Sequence, residues 1–269
     1  MTHADAFLQD ILAHPDDDVP RLIFADWLEE QGDAASAARA EFIRIQCRLA
    51  TVHLWPSPPW QEDLERRQQQ LLEEYGDEWV RPIRRLILAW EFHRGFIDEV
   101  TLFTGMFLAH DTRLFRSAPI QRLHLRYNGG INRLPFSVPA LADSEHLRCL
   151  NSLTLDNHHL ETRDVRALVV SEQLPRLTSL SLAHNRIGDG GIRTLAASPL
   201  LSRLTHLNLC HNDFGPAGVR ALARALTLLA QYSPEGFRLR RLNLSDNNLG
   251  TAGQRVIADS PLLQRLTRE

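Results

Sequence analysis

LTSLSLAHNRIG at residues 177–188 returns as LTHLNLCHNDFG at residues 204–215 and as LRRLNLSDNNLG at residues 239–250. Each copy has leucine at its first, fourth and sixth positions, asparagine at its ninth and glycine at its twelfth. Three weaker copies come earlier in the chain, and they begin at Ile97, Ile120 and Leu150. The copies start 23, 30, 27, 27 and 35 residues apart. A recurrence of this length predicts a stack of similar structural units.

The pattern within one copy predicts a strand, a turn and a helix. Leucines that alternate with polar residues face the interior, and the polar residues between them face outward. Beyond the turn, apolar residues such as Ile192, Leu195 and Ala196 recur at helical spacing. The asparagine after each strand is expected to turn inward and to hydrogen-bond backbone groups of the turn. These asparagines are Asn128, Asn185, Asn212 and Asn247.

Strands and helices that alternate with a period of 27 or more residues resemble the ribonuclease-inhibitor class of leucine-rich repeats. The resemblance implies an α/β solenoid of about six repeats over residues 93–269, with parallel strands on its concave face and helices on its convex face. A further strand is expected to begin at Leu266. The longest repeat has extra residues at 228–238, which are either a partner contact or a tolerated surface insertion.

Residues 1–92 lack the repeat, and their apolar spacing predicts a small all-α domain that precedes the solenoid. In the second predicted helix, the apolar side chains of Leu22, Ile23, Trp27 and Leu28 form a stripe. We expect this stripe to pack inside the helical domain, because a surface helix buries its apolar face.

A second resemblance concerns the same part of the chain. FLQDILAHPDDDVPRLIFADWLEEQGD at residues 7–33, followed by RAEFIRIQ at residues 39–46, closely resembles the bacterial repeat-companion domain. That domain is a short helical module that often precedes leucine-rich repeats in bacterial proteins. The resemblance covers residues 4–50 and implies an architecture, but no activity.

Carboxylates are grouped around the second predicted helix. Asp16–Asp18 directly precede it, so we expect them to accept hydrogen bonds from its free N–H groups and not to bind a metal. Asp26 lies on the predicted apolar face, where a carboxylate needs a partner. Arg39 or Arg44 on the next helix is the expected partner, and a functional role for Asp26 is the alternative.

Two histidines raise the question of a metal site. His184 and His211 stand just before the asparagine in neighbouring repeats. Equivalent positions on adjacent strands lie ~5 Å apart, close enough to share a metal with Asp246 or Asn157 as a third ligand. A row of polar residues on a solvated strand edge is the alternative, and it is the one that we predict. No metal and no cofactor is therefore expected.

The outward-facing strand residues form the predicted binding surface, because a concave sheet of this kind offers a broad face to a protein ligand. Arginine and tyrosine, which are favoured at binding hot spots, stand at its first full strand. The residues predicted to contact a partner are Arg122, His124, Arg126, Tyr127, Thr154, Asp156, Ser181, His184, His206, Asn208, His211, Arg241, Asn243 and Asp246.

Composition narrows the classes of partner. A formal charge of −3 gives no general attraction to nucleic acid or to an anionic membrane. No apolar run approaches the ~18 residues of a membrane span, and the N-terminus lacks a signal-peptide pattern. Three cysteines without metal-ligand spacing predict reduced thiols in a cytoplasmic protein.

Together these patterns predict a non-catalytic scaffold that binds a protein partner, and no nucleic acid, membrane or small-molecule substrate. The first alternative is a metal-dependent enzyme that uses Asp26 or the pair His184 and His211. The second is a regulator of a small GTPase, because eukaryotic Ran GTPase-activating proteins share this repeat class. That alternative rests on likeness of fold alone.

Overall fold

A computed structural model describes residues 3–51, 58–129, 137–233 and 236–268. The chain divides into two compact units. We call residues 1–102 with 110–121 the helical unit, and residues 103–109 with 122–269 the repeat unit. The division places residues 93–102 with the helices, whereas the sequence analysis assigned them to the solenoid. Where an independently folding domain would end stays a prediction.

The helical unit contains four complete helices and a strand pair among its described residues. These elements are α1 (His3–Ala13), α2 (Val19–Glu30), α3 (Ala34–Ala50), α4 (Pro59–Val80), β1 (Ala89–His93) and β2 (Phe96–Phe103). The next helix, α5 (Thr104–Ser117), has a non-helical backbone at His110, where the division between the units also falls.

Helix α3 forms the centre of the helical unit, because it is buried on two sides. Ala40, Ile43 and Cys47 pack in one apolar cluster with residues of α1 and α2. Phe42 and Ile45 face the opposite way and pack in a second cluster with residues of α4. Each large side chain buried in this way contributes roughly 1.5–3 kcal/mol relative to exposure.

The apolar stripe predicted on α2 is half wrong: Leu28 is buried and Trp27 packs against the same cluster, but Leu22 and Ile23 lie outside the core. Leu22 and Ile23 are 38% and 49% exposed, whereas the buried face of α2 comprises Arg21, Ala25 and Leu28. The physical reason is that an arginine occupies a core position. A pattern counted on apolar residues alone rotates the predicted face away from it.

Strand β1 lies within the stretch that was predicted to be entirely helical, and this part of the prediction is wrong. β1 pairs with β2 in antiparallel register across a turn formed by Arg94 and Gly95. Both turn residues have positive φ, 52° and 83°, which is the backbone of a two-residue hairpin. A Cβ on Gly95 would lie 2.7 Å from the Cα of Ile43, so this position requires glycine.

The repeat unit alternates strands with helices. Its strands are β3 (Arg122–Arg126), β4 (Ser152–Thr154), β5 (Ser179–Ser181), β6 (His206–Asn208) and β7 (Arg241–Asn243). Its helices after α5 are α6 (Val138–Ala142), α7 (Thr162–Val170), α8 (Gly188–Ala196), α9 (Leu200–Arg203), α10 (Pro216–Tyr232), α11 (Gly250–Ala258) and α12 (Pro261–Thr267), with a 3-10 helix at Glu145–Cys149.

The five strands are parallel and follow chain order, as in a solenoid. Their central leucines lie in one row and are almost completely buried: Leu123, Leu153, Leu180, Leu207 and Leu242. This row is the inward face that the alternating pattern predicts. The predicted α/β solenoid with a preceding helical region is therefore confirmed.

The expected strand at Leu266 is wrong, because this residue lies in helix α12. Leu263 and Leu266 are buried on one side of α12, which packs against α11 and β7. SPLLQRLT at residues 260–267 repeats SPLLSRLT at residues 198–205, where α9 ends at Arg203 and Leu204 leads into β6. In α12 the helix instead continues through Leu266 to Thr267.

Candidate binding surface

Outward side chains of β3 to β7 form two rows that the strand register defines. The first row comprises Arg122, Ser152, Ser179, His206 and Arg241. The second row comprises His124, Thr154, Ser181, Asn208 and Asn243. Neighbouring strands lie about 4.8 Å apart, so each row extends over roughly 19 Å. We call these rows and the strand-end residues beside them the strand face.

Exposure differs along the strand face. Of the predicted contact residues, Arg126, Tyr127, His184, His211, Arg241, Asn243 and Asp246 are exposed. The others, Arg122, His124, Thr154, Asp156, Ser181, His206 and Asn208, are half-buried. Tyr127 is held edge-on to the ring of His159, with centroids 5.6 Å apart. Within the two rows, exposure is therefore greatest at β7, and the other exposed residues stand at the ends of their strands.

Several half-buried contact residues also make hydrogen bonds within the repeat unit. The Oδ1 atom of Asp156 accepts from the Ser181 hydroxyl at 2.7 Å and from the Ala183 amide at 2.8 Å. Asn208 accepts from the amide of Cys210 at 3.2 Å. These side chains therefore order the surface, and a partner would meet them in fixed positions.

The asparagines after the strands bond the turns in the way the sequence suggests. Asn185 is buried and donates to the carbonyls of Leu155, Leu182 and Ala183, while its Oδ1 accepts the amides of His158 and Leu160. Asn212 and Asn247 likewise donate to carbonyls of their own repeat and to one carbonyl of the preceding repeat. Asn128 precedes the undescribed residues 130–136, and its role stays a prediction.

A histidine replaces the asparagine in one repeat. His158 is buried, and its Nε2 lies 2.8 Å from the Thr104 hydroxyl, while its Nδ1 lies 2.8 Å from the Asp156 carbonyl oxygen. Burial lowers the pKa of His158 below its ordinary value, because the imidazolium form is poorly solvated there. His158 is therefore part of the scaffold.

The residues before Asn185, Asn212 and Asn247, and before His158 at the asparagine position of its repeat, adopt a left-handed backbone. Asn157, His184, His211 and Asp246 have φ of 60°, 54°, 51° and 55°. Asparagine, aspartate and histidine are the non-glycine residues most enriched in this region. The left-handed backbone of the turn is thus a sufficient reason for the residue types at these four positions, without any metal.

The rings of His184 and His211 are stacked, with centroids 4.3 Å apart and planes 15° apart. The lone pairs of an imidazole lie in the ring plane, so two nearly parallel stacked rings do not direct them at one point. His211 Nε2 lies 3.2 Å from Asp246 Oδ2 instead. Within the described residues, no group of three or more histidine, cysteine, aspartate or glutamate side chains could hold a metal ion.

Asp26 is paired with one of its two expected partners, but it is not buried. Arg44 donates to Asp26 Oδ1 at 2.7 Å and also to Glu29 at 2.7 Å. The side chain of Asp26 is 71% exposed, so the predicted burial is wrong. Asp26 is exposed for the same reason as Leu22 and Ile23: the buried face of α2 differs from the predicted face. Ion pairs exposed to this degree contribute little to stability.

Arg39, the other expected partner of Asp26, lies among aromatic rings. Its guanidinium carbon is 4.6 Å from the ring centre of Trp79 and 5.2 to 5.7 Å from those of Phe42, Phe92 and Phe96. Burial lowers the pKa of Arg39 to about 9, so the side chain is still cationic at neutral pH. Cation–π contact takes the place of the predicted ion pair.

Arg21 is the structural residue that the sequence analysis missed. It is 2% exposed and donates to the carbonyl oxygens of His14, Pro15 and Asp17. These carbonyls belong to the loop that carries the aspartates. Within the run, Asp17 accepts the amide of Val19 at 2.9 Å, whereas Asp18 lies 3.3 Å from Arg94. Only part of the run thus caps α2.

Comparison with known families concerns the repeat unit. Residues 173–196, 202–223 and 239–258 match the family model described as Leucine Rich repeat. No curated protein matches the chain significantly. The ribonuclease-inhibitor class and the repeat-companion domain stay predictions. None of the described helices is both long enough and apolar enough to cross a membrane. The repeated sequence motif, the parallel strands and the match to this family model together show that the chain contains leucine-rich repeats.

Proposed function

We propose that the repeat unit binds a protein partner through the strand face, as a scaffold without catalysis. The observation that carries the proposal is the register of the outward rows, which fixes polar side chains across five parallel strands. Leucine-rich repeats bind proteins in general, and an ordered polar sheet face suits a broad protein surface.

The accessible anchors lie at the first and last strands. Arg126 and Tyr127 are exposed beside β3, and Tyr127 is oriented by the His159 ring. Arg241 is exposed on β7. Arginine and tyrosine are enriched at binding hot spots: arginine offers a planar set of hydrogen-bond donors, and tyrosine brings a large contact area with few rotatable bonds. We therefore expect these three residues to contribute most to binding.

A capture experiment from the native cell tests this proposal. The Arg126→Glu/Tyr127→Ser variant should lose the partners that the wild-type protein retains. Arg163→Glu/Arg166→Glu on α7 is the matched control, because both arginines are exposed and lie away from the strand face. If the strand-face variant retains the same partners as the control, the strand face is not the binding surface.

Regulation of a small GTPase rests on the repeat class alone. A GTP-hydrolysis assay with small GTPases of the same cell tests that hypothesis, and absence of stimulation would remove it.

A further inference from the structure

Formal charge is divided unequally between the two units. The residues of the helical unit include 12 arginines and 21 carboxylate side chains, which gives −9. The residues of the repeat unit include 18 arginines and 12 carboxylate side chains, which gives +6. The net charge of −3 conceals this asymmetry, which favours contact between unlike units of separate molecules.

The helical unit exposes an apolar ridge on α2. Val19, Leu22 and Ile23 are 57%, 38% and 49% exposed and lie at helical spacing on one face. The same face continues with the exposed carboxylates of Glu30 and of Asp26, which also pairs with Arg44. We call these five residues the α2 ridge. It is apolar at its N-terminal end and acidic at its C-terminal end.

The repeat unit has a groove beside α10. This helix has 17 residues, whereas α8 and α11 on either side of it have nine each. The longest repeat thus extends a helix, and its residues 234 and 235 lie outside the described part of the chain. Leu228 and Tyr232 are exposed on the extension.

The groove lies between α10, Phe237 and the helices α11 and α12, and has a volume of about 1110 Å³. Its apolar lining includes the half-buried side chains of Phe237, Val256 and Leu262. Arg224 and Arg265 line it as exposed cations, with Asp259 as one opposing charge. We call it the α10 groove. It is apolar and basic, which complements the α2 ridge.

We propose that the α2 ridge of one molecule docks in the α10 groove of a second copy of this chain. Three of the eight large hydrophobic residues exposed in the described part of the chain lie on the α2 ridge, and two more lie on α10 outside the lining of the groove. Leu22 and Ile23 would bury apolar surface in the groove, and Asp26 and Glu30 would lie near its arginines. The two surfaces differ, so the contact is head-to-tail and forms chains or a closed ring.

Sedimentation velocity on the full chain tests the contact. The wild-type protein should sediment faster as its concentration rises, and added salt should reduce this shift, because it screens the charged part of the contact. Ile23→Glu on the ridge and Arg224→Glu/Arg265→Glu in the groove should each abolish the shift. Thermal melting of each variant verifies that the fold is retained.

Matched controls carry the same chemical changes elsewhere. Val170→Glu alters an exposed apolar residue of α7, and Arg220→Glu/Arg255→Glu alters two exposed arginines outside the groove. Both controls should associate like the wild type. Asp26→Arg/Glu30→Arg should be monomeric alone and should associate when mixed with Arg224→Glu/Arg265→Glu, because the charges are then exchanged.

A monomer at every concentration would overturn the proposal, as would association that persists in the ridge and groove variants. So would a monomeric wild type whose α10 groove binds a labelled RNA or a different acidic protein, with loss of that binding in Arg224→Glu/Arg265→Glu. Loss of the strand-face partners would not bear on this contact, since the two surfaces share no residue.

Discussion

Arg21 in the helical unit and Asn185 in the repeat unit perform the same physical task in different settings. Each is buried and donates hydrogen bonds to three backbone carbonyls, Arg21 within one loop and Asn185 across two neighbouring repeats. Asn185 also accepts two amides, and the same arrangement recurs with variations in neighbouring repeats. Arg21 acts once, and it is charged.

The difference lies in how each side chain can be recognised. A buried backbone group must find a partner, and either an amide or a guanidinium can supply it. The asparagine is visible in the sequence because it returns at a fixed place in each strong repeat. The arginine has no such periodicity, and its long side chain reaches carbonyls four to seven residues away.

The largest effect is expected for Asn185→Ala. It leaves five backbone groups without their partner, and we expect a loss of about 3–4 kcal/mol in the free energy of unfolding, measured by denaturant titration. Asn212→Ala should cost about half as much, because Asn212 donates two bonds and its Oδ1 accepts none in the described structure. Equal losses of stability in the two variants would contradict this account of the asparagine hydrogen bonds.

Arg21→Met should cost somewhat less, about 2–3 kcal/mol. The charged donor is lost, but His14 and Asp17 are exposed, so water can reach their freed carbonyls, and the buried carbonyl of Pro15 still accepts from Gln121 at 3.4 Å. The same titration measures the loss. Arg66→Met, which alters an arginine on the surface of α4, serves as the control and should change stability little.

His158→Asn sharpens the comparison, because it restores asparagine in the repeat that has histidine at that position. Burial lowers the pKa of His158, so the unfolded chain takes up its proton at a higher pH than the folded chain. The stability that depends on neutral His158 is therefore complete above about pH 6.5 and declines as the pH falls towards the lower folded pKa. Melting temperatures between neutral and acidic pH should decline less in the variant. An unchanged pH dependence would show that His158 does not titrate in this way.

Asp26→Asn should have the smallest effect, ~0.5 kcal/mol or less, because its ion pair with Arg44 is exposed. Denaturant titration at low and high salt measures it. A loss above that of Arg21→Met would mean that Asp26 is buried in solution, as the sequence pattern alone suggested.

The strand face was largely predictable, because alternation along each strand assigns its residues and a constant register aligns them. Which single side chains are bonded or stacked within the surface was less predictable. The internal bonds of Asp156 and the stacking of His184 on His211 depend on distances between strands. The histidines at positions 184 and 211 did contain a usable signal, since histidine is enriched among non-glycine residues with left-handed backbone.

The sequence by itself determined the repeat, the buried leucine row and the inward asparagines, because each is encoded locally and appears several times. Only the tertiary structure decided which face of α2 is buried, that Arg39 lies among aromatic rings, and that residues 89–93 form a strand. These features depend on groups distant in the chain. A charged side chain can occupy a core position when such groups satisfy it, and no local pattern of apolar residues records that condition.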